Sequence, residues 1–288
     1  MFLYKAHALT KTTKLYDRRD DDLTQGEITL SYEEFHVDAK QSIVFLHGAN
    51  TGAWMWRPNI DYLNEYHCIS VDLPGHGNSS DKEWETFEKT AQRVASLIKE
   101  KAKNGIADVV GLSLGGYIAL TLLTIAPRTI NRLVVSGVPS SKIPNAWFIR
   151  LVGYLLAPFL HNEKMIKANA KGLRIPEVYL HEYILNAKKI TQKTFHRITK
   201  EAVSFQAPIT IKNETHPKLF LAGEREHQLI KNSLSTYKTE YPNSESYLIK
   251  GLGHGWSLED PELFSTMLRR WLKHESLPDG LQAIHGQH

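Results

Sequence analysis

The strongest chemical signal in the chain is Val109-Val110-Gly111-Leu112-Ser113-Leu114-Gly115-Gly116. A serine hydroxyl is a weak nucleophile until a neighbouring base takes its proton. Glycines two before and two after Ser113 suit a sharp turn between the apolar strand that precedes it and the apolar helix Tyr117–Ile125 that follows. Such a turn holds the serine in a strained conformation, at a cost of roughly 1–3 kcal/mol. It also lifts the hydroxyl clear of the sheet edge, at the positive end of the helix. An ordinary Gly-rich turn is the simpler alternative, since G-x-S-x-G alone is a modest signal. The strand before it and the helix after it point to nucleophilic catalysis.

A nucleophilic serine needs a base and a cradle for the oxyanion. The chain has 14 histidines, so position decides among them. His254 lies in Gly253-His254-Gly255, after an apolar run ending at Ile249 and before the last helix. Small residues on both sides let that loop bring an imidazole over the sheet edge. His47 and His76 read as loop-fixing residues, and His227 is the rival base. An oxyanion is held by two backbone N–H groups, one of them from the residue after the nucleophile, Leu114.

These groups need a scaffold. Ile28–His36, Ser42–Leu46, Cys68–Val71, Asp108–Leu112, Arg132–Val135, Lys218–Ala222 and Ser246–Ile249 read as strands. Most are unbroken apolar runs closed by Gly or Pro, as expected for strands buried on both faces of a parallel sheet. Phe87, Ala91, Val94, Ala95, Ile98 and Ala102 share one helical face. Asp260 is placed to cap a second helix with Pro261 at its first position. Strands alternating with helices give a doubly wound α/β core. Ser140 to Ala207 breaks the rhythm with helical patterns and no core strand, starting points being Pro176 and Thr191. The charge run Asp17–Asp22 reads as a solvated surface segment, and the tail after Pro278 is expected to be mobile.

Composition narrows the remaining classes. The 288 residues are 42% hydrophobic and 23% charged, which suits a soluble globular chain. A net charge of +4 without a dense basic block argues against nucleic acid as a partner. The longest apolar stretch, Ala146–Leu160, is interrupted by Arg150 and Pro158 and falls short of the roughly 18 residues that span a bilayer. A lid or buried helix is the expected use, ahead of a membrane-surface role. No secretory signal is read, and the single cysteine, Cys68, suits a cytoplasmic location with inert burial. There is no zinc spacing and no Walker loop. Gly251-Leu252-Gly253 begins like a dinucleotide fingerprint, but Trp256 stands where a third glycine is needed. No metal and no organic cofactor is expected.

Taken together, His47-Gly48, Asp72-Leu73-Pro74-Gly75-His76-Gly77, the Ser113 turn, Leu221-Ala222-Gly223 and Gly253-His254-Gly255, in that order, resemble the α/β-hydrolase superfamily from about Gly26 to Lys273. The resemblance implies an eight-stranded, mostly parallel sheet with a helical cap inserted after strand 6. Residues 1–139 and 208–288 would form the core and residues 140–207 the cap. It implies a triad acid three residues after the glycine closing the seventh strand. That place holds Glu226 where relatives more often carry Asp, with Glu224 the alternative. It also implies Ala49 as the second oxyanion amide, with Asn50 or Thr51 if the loop is shifted.

The expected activity is that of a cofactor-independent serine hydrolase using Ser113, His254 and Glu226 on an ester or related acyl bond of a small molecule. Trp147, Phe148 and Phe159 are candidates to line an apolar pocket or to form the cap's own core. The same equipment serves C–C bond hydrolysis, a lyase or an aminopeptidase, or persists in a slow-turnover binding protein.

Overall fold

The unbroken apolar runs form the centre of one sheet. The computed structural model describes residues 30–208 and 215–285. The elements in chain order are β1 (Tyr32–Phe35), β2 (Ser42–Leu46), α1 (Arg57–Ile60), β3 (His67–Val71), α2 (Phe87–Lys101), β4 (Ala107–Leu112), α3 (Leu114–Ile125), β5 (Ile130–Ser136), α4 (Ala146–Leu156), α5 (Glu163–Gly172), α6 (Leu180–Ala187), α7 (Gln192–Ala202), β6 (Lys218–Gly223), α8 (Gln228–Glu240), β7 (Ser244–Ile249), α9 (Trp256–Glu259), α10 (Pro261–Leu272) and β8 (Leu281–Ala283). The eight strands lie in the order β1-β3-β2-β4-β5-β6-β7-β8. Strands β3 to β7 are parallel, and β1 and β8 close the edges antiparallel.

Successive strand residues feed opposite faces. Val44 and Leu46 join the core packed by α2 and α3, while Ile43 and Phe45 join the core packed by α10. Burial on both faces is why these runs show no polar alternation. The helices carry the signals that start them. Thr86 accepts a hydrogen bond from the Lys89 amide at the start of α2. Asp260 accepts from the Leu263 amide at 2.9 Å, with Pro261 in the first turn of α10.

The strand order reverses at β2, which has β3 on one side and β4 on the other. Chains leaving β2 and β4 therefore diverge, opening a crevice at their carboxyl ends where ligands of such sheets bind. Leu46 pairs with Gly111, so the loop after β2 lies beside the turn at Ser113.

The turn's glycines are required by close approach. A Cβ on Gly115 would lie 2.0 Å from the Leu46 carbonyl oxygen, and one on Gly111 would lie 2.4 Å from that of Gly115. Both obstacles are backbone and cannot swing aside. Gly115→Ala is expected to destabilise the protein by about 1–3 kcal/mol or more, as overpacking does. A urea midpoint unchanged from wild type would show that strand and helix are not tightly apposed.

Three expectations change. The early strand is shorter than Ile28–His36, spanning Tyr32–Phe35. The helical insertion follows the fifth strand of the described chain, not the sixth. The eighth strand is β8, from the tail expected to be mobile. It pairs with β7, Ile249 opposite Leu281, after a turn at Gly280. A free edge on β7 offers unpaired N–H and C=O groups, and three tail residues suffice to cover part of it. The Asp17–Asp22 charge run lies outside the described residues.

Helices α4 to α7 lie between β5 and β6. Ile166, Ala170, Tyr183 and Ala187 from α5 and α6 join one core, and Ile198 from α7 joins the other. Thr191 caps α7 by accepting from the Thr194 amide at 3.1 Å. Among the described residues no helix is long and apolar enough to cross a membrane.

Candidate active site

Ser113 stands between β4 and α3 with φ 52° and ψ −111°, a positive-φ conformation that L-residues avoid. Its backbone is pinned on both sides. The Ser113 amide donates to the Ser136 carbonyl at 2.8 Å, and the Gly115 amide donates to that of His47 at 2.9 Å. The Leu114 amide between them begins α3, where an N–H has no intrahelical acceptor.

His254 and Glu226 form a pair beside this turn. The imidazole Nδ1 donates to Glu226 Oε2 at 2.7 Å. The Glu226 side chain is fully buried, and that of His254 is 22% exposed. The second carboxylate oxygen, Oε1, accepts from the Gly223 amide at 2.9 Å, so the acid is fixed at the end of β6. Burial disfavours a charged imidazole, but the hydrogen bond and charge of Glu226 outweigh it and raise the His254 pKa above its ordinary value.

The rivals have other work. Glu224 is exposed and accepts from the Gly251 amide at 2.7 Å, closing the turn that leads to the histidine loop. His227 caps α8, its Nδ1 accepting from the Leu229 amide at 3.2 Å.

The loop after β2 is held by buried polar groups. His47 donates from Nδ1 to the Gly48 carbonyl at 2.7 Å and accepts at Nε2 from the Leu73 amide at 3.0 Å. Burial pushes its pKa down to about 4, so it stays neutral in one tautomer. His76 bonds the Pro74 carbonyl at 2.9 Å, and burial pushes its pKa to about 3. Asp72 accepts from the Ala53 amide at 2.7 Å through one oxygen and from the Asn78 amide at 2.9 Å through the other. These bonds set the position of Gly48 and Ala49 opposite Ser113.

A cavity of about 220 Å³ opens over the turn. Ala49, Asn50 and Thr51 line one side, Ser113 and His254 the floor, and Asn169, Leu173 and Ile175 the helical insertion's side. The segment after α5 is clamped to the histidine loop. The Gly255 amide donates to the Leu173 carbonyl at 3.2 Å, and Glu259 bridges Arg174 at 2.5 Å and the Gly253 amide at 2.8 Å. Tyr183 stands behind this wall and donates its hydroxyl to Asn169 Oδ1. Among the described residues no cluster of His, Cys, Asp or Glu is arranged to hold a metal ion.

Seven of the sequence candidates therefore meet or flank one crevice: Ser113, His254, Glu226, Leu114, Ala49 and, in the same loop, Asn50 and Thr51. Trp147, Phe148 and Phe159 do not. They are 69%, 53% and 54% exposed and none lines the cavity. Their aromatic character suggested a pocket, but α4 presents Trp147 and Phe148 outward, as the turn that follows it, Ala157–Phe159, does Phe159. Gly137 was missed. A Cβ there would lie 2.7 Å from the His254 ring, so the end of β5 must be bare for the imidazole to pass. Asn169, Leu173 and Ile175 were missed because their spacing is that of any amphipathic helix end.

A parallel sheet that presents a serine on a positive-φ turn at its switch point has the architecture of an α/β hydrolase. The sequence agrees over most of its length: the model of the alpha/beta hydrolase family matches residues 43–266, and the chain belongs to that family. It is 28% identical over 266 residues to an AB hydrolase superfamily protein of Gibberella zeae, covering 90% of this chain and 89% of the relative. It is 25% identical over 243 residues to a pimeloyl-[acyl-carrier protein] methyl ester esterase of Legionella pneumophila, covering 80% of this chain and 95% of the relative. Among solved structures, a putative non-heme bromoperoxidase from Mycobacterium tuberculosis superposes with a TM-score of 0.73 at 20% identity, over 87% of this chain and 98% of the other. That likeness concerns the fold.

Proposed function

We propose that this protein is a serine hydrolase that cleaves carboxylic esters of small molecules through an acyl-enzyme. The observation carrying the reading is that Ser113 and His254 line one cavity while His254 donates to the buried Glu226 at 2.7 Å. The bond to Glu226 puts the Nδ1 proton on the carboxylate side and leaves Nε2 as the free base. Nε2 takes the Ser113 proton as Oγ bonds to the ester carbonyl carbon. The negative oxygen is held by the Leu114 and Ala49 amides. The imidazolium then gives its proton to the leaving alcohol as the C–O bond breaks. Water, deprotonated by the same nitrogen, releases the acid and restores Ser113. The esterase relative in Legionella supports an ester as the bond. Residues 140–207 form the cap, with α5 and the segment after it as the wall over the nucleophile.

A fluorophosphonate should label Ser113, and an aryl ester should give a burst of phenol matched to the protein concentration. Labelling elsewhere, or a linear release with no trappable acyl-enzyme, would overturn the reading and favour a lyase or a binding protein.

The wall residues set chain-length preference in this reading. Leu173→Ala and Ile175→Ala should each change relative kcat/KM across a series of aryl esters of increasing acyl length, by roughly 1–3 kcal/mol per lost methylene contact. Trp147→Ala should scale the series evenly. The reverse pattern would place the acyl group under α4 instead.

A further inference from the structure

Helix α4 has no buried residue, although its sequence is Ala-Trp-Phe-Ile-Arg-Leu-Val-Gly-Tyr-Leu-Leu. Gly153 marks the side of the helix that faces α7: a Cβ there would lie 3.5 Å from Phe195 and 3.8 Å from Thr199, in ordinary van der Waals contact. Trp147, Phe148, Leu151 and Leu155 lie roughly 120–160° round the helix from Gly153. They are 69%, 53%, 47% and 61% exposed, and Tyr154 beside them is 68% exposed. Soluble proteins rarely leave such a contiguous apolar face bare unless it has a partner.

The charge around this face indicates the partner. Residues 140–207 contain eleven Lys and Arg against four Glu and no Asp, a net of +7. The whole chain nets +4, so the rest nets −3. Arg150 on α4, Lys142 just before it, and Lys164 and Lys171 on α5 are all exposed. Two copies meeting through this segment would bring like charges together, which opposes association. An anionic lipid surface complements it instead. Trp and Tyr are also the side chains that suit a headgroup boundary. At 11 residues the helix is about 16 Å long, far too short to span, and suited to lie in the plane of the interface.

We propose that α4 docks this protein onto an anionic lipid surface, its outward apolar face entering the boundary region and the basic residues of the insertion engaging the headgroups. This reading does not depend on the ester chemistry.

The test uses the full chain with Leu155→Cys carrying an environment-sensitive nitrobenzoxadiazole. Cys68 is buried and burial pushes its thiol pKa up, so the added cysteine is the one that reacts. Vesicles of phosphatidylcholine alone are compared with vesicles holding roughly 30 mol% phosphatidylglycerol. Emission should rise and shift to the blue on the anionic vesicles, with binding about tenfold or more tighter than on the neutral ones and weakening as salt is raised. A Leu151→Ser/Leu155→Ser double variant should lose about tenfold or more in vesicle co-sedimentation while keeping its turnover of a water-soluble aryl ester. Equal or absent binding to both vesicles overturns the proposal. So does emission that climbs with protein concentration without lipid, which would make the occupant a second copy. Emission already blue and unchanged by vesicles would mean that the chain covers its own helix, and also overturns it.

Discussion

Replacing Ser113 with Ala is expected to lower kcat/KM for an aryl ester by about 10³-fold or more, because triad members act as a unit and the loss of one forfeits most of what all three contribute. The fold should survive. The bonds fixing the turn are backbone bonds, from the Ser113 amide to the Ser136 carbonyl and from the Gly115 amide to that of His47, and Ala keeps both. A second substitution separates chemistry from strain. Ser113 holds φ 52°, ψ −111°, a conformation open to glycine but costly for any residue with a Cβ. Ser113→Gly should therefore be as inactive as Ser113→Ala yet more stable, by roughly 1–3 kcal/mol in urea unfolding. A stabilised, dead variant would show that the protein holds strain at this turn to aim the hydroxyl. Ser113→Ala with near-wild-type turnover would remove the serine from the mechanism altogether.

The sequence made this turn legible because its requirements are local. A strand, a sharp turn and a helix lie within about twenty residues, and the glycines that permit the packing are part of the motif. The same holds for His254, flanked by the small residues its loop needs. The sheet was legible for a related reason: parallel strands buried on both faces must be apolar throughout, and Val44, Phe45 and Leu46 show it without knowledge of their neighbours. What sequence did not reveal is set by long-range contact. Gly137 is bare because an imidazole 117 positions later passes over it. Asn169 lines the cavity because α5 crosses the nucleophile, held by Leu173 on the Gly255 amide and by Tyr183. Neither contact leaves a local pattern. Helix α4 misled for the opposite reason. Its composition is that of a buried helix, and only its seating on α7, on the side that Gly153 marks, shows that the aromatic face points out.

Glu226→Gln should cost up to about 10⁴-fold in kcat, the loss seen when a triad acid becomes an amide and the histidine takes the wrong tautomer. The geometry here makes that outcome hard to avoid. Glu226 uses Oε1 to accept from the Gly223 amide at 2.9 Å and Oε2 to accept from His254 Nδ1 at 2.7 Å. A glutamine has a single oxygen. If it keeps the buried Gly223 bond, its NH₂ group faces Nδ1 and can only donate. Nδ1 must then be the acceptor, the ring proton moves to Nε2, and the base that should receive the Ser113 proton is blocked. Glu224→Gln is the control, since an amide oxygen can still accept from the Gly251 amide, and it should stay near wild type. The pH profile adds an independent reading. His254 must be neutral to act, and Glu226 raises its pKa against the opposing effect of burial. Wild-type kcat/KM should therefore be lost as pH falls through an apparent pKa above the ordinary histidine value of about 6.5. In Glu226→Gln the raising partner is gone and burial remains, so the residual activity should persist to lower pH, its acid limb shifted down. An unshifted limb would mean that some other group titrates, and a crippled Glu224→Gln beside an active Glu226→Gln would move the acid to the exposed side of the loop.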